Sequence, residues 1–99
     1  MVKIEGLTKE DIQERDNYSR LVELTKELVG NGFLTTQDSS DYIGVYRGQE
    51  RSPIIHFGNL IHPRVSVYSP VYFDMAVQLA KAYEGVLKEE VTVKKRYQE

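Results

Sequence analysis

The sequence predicts an α+β fold: a single domain in which an antiparallel sheet of three or four strands carries two helices on one face, in the order α-β-β-β-α, with short terminal strands at either end. Three observations lead there. Two stretches repeat apolar residues at spacings of three and four, runs between them alternate apolar with polar residues, and glycine- or Asx-rich breaks separate those runs. The chain, at 99 residues, has the length of one small domain spanning 1–99, with 1–7 and 88–99 as flexible ends or edge strands.

Val2 and Ile4 alternate with Lys3 and Glu5 as a short edge strand would. Thr8 then precedes Lys9-Glu10-Asp11, a helix start with acids in the first turn. From about Asn17 to Val29 the pattern is amphipathic: Tyr18, Leu21, Val22, Thr25, Leu28 and Val29 share a face, and Arg20, Glu23, Lys26 and Glu27 fall mostly opposite. Gln13 to Asp16 is wholly polar, so the helix either continues there as a solvated turn or breaks. Gly30-Asn31-Gly32 ends it, because glycine reaches the left-handed conformation without a Cβ penalty.

Phe33 to Thr36 is β-compatible, and Gln37-Asp38-Ser39-Ser40-Asp41 reads as a polar turn. Tyr42 to Arg47 is the next strand, Gly48 to Arg51 a turn, and Ile54 to Phe57 its hairpin partner. Gly58-Asn59 interrupts, Leu60-Ile61 is apolar, and Pro63 forces His62 toward an extended conformation. Arg64-Val65-Ser66-Val67-Tyr68 alternates cleanly. Ser69 caps the second helix, Pro70 suits its first position, and Asp74 lies near the positive end of its dipole. Tyr72, Met75, Ala76, Leu79, Ala80 and Tyr83 form the stripe of that helix, and Gly85 reads as its stop. Beyond it, Val86 and Leu87 either extend the stripe or lead to a last strand at Val91-Thr92-Val93.

Composition excludes several function classes. The cysteine count is zero, which removes disulfides, thiol chemistry and cysteine-ligated zinc. No run approaches the roughly 18 apolar residues of a membrane span, and the N-terminus lacks the pattern of a secretory signal, so the expected setting is cytoplasmic with no membrane partner. Ser39, Ser40, Ser52 and Ser69 have roles in turns or caps, the acids lie mainly on helix surfaces, and the glycines form no phosphate loop; no catalytic residue, cofactor or metal site is assigned. His56 and His62 could approach each other, but their spacing specifies no ligand set.

Charge is unevenly spread. Net charge is −2, yet residues 1–41 sum to −4, residues 42–70 to +2 and residues 71–99 to zero. The basic middle segment also holds the strand tyrosines. Alternation sends Ile43, Val45, Ile55, Phe57, Val65 and Val67 under the helices and leaves Tyr42, Gly44, Tyr46, Ile54, His56, Arg64, Ser66 and Tyr68 on the other face. Tyr42, Tyr46, His56, Arg64 and Tyr68 of that face, with Arg47 added for its charge, are the candidate partner-binding residues, since tyrosine and arginine dominate interface hot spots. Cross-strand tyrosine pairs can also stabilise a sheet with no partner. The function expected is that of a small non-catalytic binding or regulatory accessory protein, an adaptor or inhibitor of a larger partner or a self-associating module. The alternative is a single-stranded nucleic-acid module using the same face.

The helix-strands-helix order is also that of the double-stranded RNA-binding domain. That family's basic cluster at the start of the second helix has no counterpart in Pro70-Val71-Tyr72-Phe73-Asp74, which holds one acid and no base, and no family is assigned.

Overall fold

Seven regular elements and one 3₁₀ turn follow each other as α1 (Lys9–Val29), β1 (Phe33–Ser39), β2 (Tyr42–Arg47), β3 (Ile55–Gly58), β4 (Arg64–Val67), the turn Pro70–Tyr72, α2 (Phe73–Leu87) and β5 (Thr92–Lys95). The computed structural model describes the backbone of residues 9–39, 42–59 and 62–98, and within these the side chains from 18 onward except 38 and 39. The strand expected at Val2–Ile4, the Thr8 cap, and the Leu60-Ile61 run lie outside the described residues.

The polar stretch from Gln13 to Asp16 does not interrupt α1, which is one helix of 21 residues. Its apolar face delivers Leu21, Thr25 and Val29 to the interior, with Tyr18 and Val22 packed beside them. Gly30 takes φ +76 and its N–H bonds Lys26 O at 3.2 Å, so the predicted glycine stop is the one used.

The sheet order is β1-β2-β3-β4-β5. The first four strands form an antiparallel meander, and β5 joins β4 in parallel. The sheet is thus mixed and five-stranded, where the sequence suggested three or four antiparallel strands. A parallel neighbour cannot follow by a tight turn, and α2 supplies the crossover between β4 and β5. β1 also runs on to Ser39 through residues read as a turn. Its ladder to β2 shifts register between Gln37 and Ser39, which lets a polar stretch keep pairing at the hairpin end.

Alternation sorts the two sheet faces. Ile43, Val45, Ile55, Phe57, Val65 and Val67 are each no more than 1% exposed and share one core with Leu21, Ala76, Leu79, Ala80 and Tyr83. The Phe57 ring meets Tyr18 of α1 and Tyr83 of α2, so both helices cover the same face. They also pack on each other, α1 nearer β1 and α2 nearer β4 and β5.

Ser69, at φ −146 and ψ 140, accepts a bond from Val71 N at 3.3 Å. The cap begins a 3₁₀ turn with Pro70 first, and the α-helix follows from Phe73. Gly85 is not the stop. It sits inside α2, whose end falls three residues later at Lys88, held at φ 58 with its N–H on Glu84 O at 2.9 Å. Glu84 Oε2 also accepts from Val91 N at 3.3 Å, which ties the incoming β5 back to the helix.

Among the described residues, no helix is long and apolar enough to cross a membrane.

Candidate functional site

The face away from the helices is built from the even-numbered positions of β2 to β5. Register sets its rows. Gly44, His56, Ser66 and Lys94 lie side by side across β2, β3, β4 and β5, and Tyr42, Gly58, Arg64 and Thr92 form the next row. Leu34 pairs with Tyr46 at the β1 edge. Arg96 follows β5, its N–H bonded to Val67 O at 2.8 Å, and continues the face beside Tyr68.

Rings occupy the middle. Tyr42 stacks on His56 with centroids 4.7 Å apart and an interplanar angle of 26°. His56 in turn meets Tyr68 at 5.4 Å and 43°. The Tyr68 hydroxyl bonds His56 Nδ1 at 2.7 Å, donating to it when Nε2 carries the imidazole proton. Tyr68 is nevertheless 40% exposed, and Leu34 at the same end of the face is 55% exposed.

Around the rings stand three cations: Arg64 on β4, Lys94 on β5 and Arg96 just after it. No Asp or Glu occupies a described outer position of β2 to β5. Among the described residues, no hydrogen bond or ion pair engages the side chains of these three cations. Their field is felt at His56, whose pKa is lowered by burial and then by Arg96 and Arg64. Ser66, at the centre, is fully buried, and among the described residues its hydroxyl has no hydrogen-bond partner.

His56 makes this face pH-sensitive in a defined direction. Its folded pKa lies below the unfolded value of 6.5, so the neutral form is favoured by folding. Its contribution is fully present above 6.5 and is lost as pH falls from 6.5 through the lower folded pKa, where the unfolded chain binds the proton more readily. Urea midpoints measured from about pH 7.5 down to pH 5 should fall, and His56→Gln should reduce the slope. An unchanged slope in the variant refutes the assignment.

Comparison with protein-family models, with curated proteins and with solved structures gave no match.

Five of the six residues singled out in the sequence come together on the outer face: Tyr42, Tyr46, His56, Arg64 and Tyr68. Arg47 does not. It pairs with Phe33, and its guanidinium donates to the Tyr72 hydroxyl at 3.3 Å, which places it at the end of the helix-covered side. There Tyr72 also meets Phe33 edge-on at 5.8 Å. Ile54, expected outside, is only 7% exposed; its N–H bonds Val45 O and its carbonyl accepts from Tyr68 N–H, ahead of the β3 ladder. Lys94 and Arg96 are not legible as site residues in the sequence, because nothing local says which strand β5 joins. The Val91-Thr92-Val93 alternation was their only signal. Among the described residues no group of three His, Cys, Asp or Glu could hold a metal ion.

Proposed function

We propose that this chain is a non-catalytic accessory protein that docks its outer sheet face on an anionic segment of a larger protein. One observation carries the reading. In a chain of net charge −2, the outer positions of β2 to β5 gather Arg64, Lys94 and Arg96 beside the Tyr42-His56-Tyr68 row with no acid among them. Rigid rings with polar ends supply contact area at small entropic cost, and cations that no described acid neutralises select a partner of opposite sign. A two-fold pairing of this face with itself would set the cations of two copies against each other, which disfavours the self-associating version.

A second reading, single-stranded nucleic acid, has the same cations in its favour. The ring geometry argues against it. Tyr42 and His56 stack on each other, so each commits one ring face inside the protein instead of offering it to a base.

Affinity capture with immobilised wild type, Arg64→Glu/Arg96→Glu and Tyr46→Ala/Tyr68→Ala tests this. A protein retained by wild type should bind at least about tenfold more weakly to either variant. Retention that nuclease abolishes assigns the face to nucleic acid. Equal retention by all three chains removes the face from consideration.

A further inference from the structure

Ser66 is out of place on physical grounds. Its strand neighbours Val65 and Val67 face the core, while Ser66 faces the other way, is 0% exposed, and among the described residues leaves its hydroxyl without a partner. Burying an unpaired hydroxyl is unfavourable, and an alanine at the same position would avoid that cost. The surroundings show what the hydroxyl could serve. Register puts His56 and Lys94 directly beside Ser66 on the neighbouring strands, and alternation puts Arg64 and Tyr68 two residues away on either side. Arg96 lies diagonally, two residues past Lys94. A short side chain is thus ringed by five long ones, three of them cationic.

Resting on the reading that this face docks a protein segment, we propose that Ser66, Arg64, Lys94 and Arg96 form a seat for a phosphoryl group carried by that segment as phosphoserine or phosphothreonine. Charge distinguishes this ligand from its relatives. A carboxylate or a phosphodiester offers one negative charge to three cations, whereas a phosphate monoester carries about −1.5 to −2 at neutral pH and three strong acceptor oxygens. Guanidinium groups present paired donors that match such oxygens, and the ammonium of Lys94 adds a point charge. The Ser66 hydroxyl then gains the acceptor it lacks. With Tyr68 donating to His56 Nδ1, the imidazole Nε2–H is left as a further donor of this residue. Lys94 and Arg96 are exposed, so their side chains can reorient toward a ligand by rotamer changes alone.

The test is calorimetric and NMR titration of the full chain at low salt. The probes are a capped pentapeptide of alanines with a central phosphoserine, the same peptide with serine or glutamate at that position, and oligothymidylate. The phosphoserine peptide should bind about tenfold or more tightly than the glutamate peptide, and the serine peptide should not bind measurably. Ser66→Ala removes only an unpartnered hydroxyl, so it should fold, and it should weaken the phosphopeptide about fivefold; Lys94→Gln, at an exposed position, should do so by about tenfold. His56 should titrate at a higher pH when the peptide is bound, because a dianion offsets Arg64 and Arg96. Equal binding of the phosphoserine and glutamate peptides, no phosphopeptide binding, indifference to both variants, or tighter binding of oligothymidylate each overturns the seat. If phosphopeptide binding fails while capture still depends on Arg64, Arg96, Tyr46 and Tyr68, only the seat falls; if both fail, the docking face falls with it.

Discussion

Phe57→Ala should destabilise the fold by about 3–5 kcal/mol, the largest loss expected from any single truncation in the core. Phe57 is 1% exposed and sits where all three layers of contact meet. Across the sheet it pairs with Ile43 and Val65, each also no more than 1% exposed. Above the sheet its ring lies 4.7 Å from Tyr83 of α2 and 6.4 Å from Tyr18 of α1, tilted by 56° and 53°. Tilted aromatic pairs contribute beyond the area they bury. Alanine would remove both ring contacts and leave a space that two helices and a sheet cannot close without shifting together. Domains of this size are stable by roughly 5–15 kcal/mol, so the variant should lose a large part of its margin. Urea denaturation followed by circular dichroism measures this. Tyr68→Ala is the internal control: at 40% exposure it should cost far less. A Phe57→Ala loss under about 1 kcal/mol would mean that Phe57 does not join the layers.

The same core shows what the sequence could and could not convey. Alternation in Ile43-Gly44-Val45, Ile55-His56-Phe57 and Val65-Ser66-Val67 identified all six inward strand residues, because one buried face imposes period two on each strand. Helical spacing likewise marked Leu21, Thr25, Leu79 and Tyr83. These signals are local. Pairing between β4 and β5 is not: Val65 meets Val93 only after α2 has carried the chain back to the sheet. Two cations of the outer face, Lys94 and Arg96, depended on that distant pairing and were invisible for the same reason. Gly85 misled in a different way. Glycine favours a helix end but does not require one, and the left-handed conformation that closes α2 is taken by Lys88. Arg47 could have been placed from alternation alone, since it shares parity with Ile43 and Val45.

Thr25→Val and Tyr83→Phe should cost unequal amounts, and the double variant should cost less than their sum. The two side chains join α1 to α2 through one buried hydrogen-bond chain: Thr25 Oγ1 donates to Leu21 O at 2.6 Å, which leaves it to accept from the Tyr83 hydroxyl. Thr25 is 0% exposed and Tyr83 1%. Valine at 25 matches threonine in shape and orphans the phenol O–H in a buried site, at about 1–3 kcal/mol. Phenylalanine at 83 leaves Thr25 still bonded to Leu21 O, so its cost should lie near the lower end of that range. Replacing both partners removes the unsatisfied group altogether, and two apolar groups of the same shape can approach neutrality. A second measurement follows from titration. Burial pushes the Tyr83 phenol up to about 12 against an ordinary 10.0, with the bond to Thr25 acting in the opposite direction. Because the folded pKa is the higher one, its contribution is fully present below pH 10 and is lost as pH rises through 10 toward 12, an effect of roughly 2–3 kcal/mol. Lysines titrate in the same window, so the informative quantity is the difference between wild type and Tyr83→Phe. That difference should shrink above pH 10. Strict additivity in the cycle together with a constant difference would mean that Thr25 and Tyr83 pack as independent residues and that the helices are held by apolar contact alone.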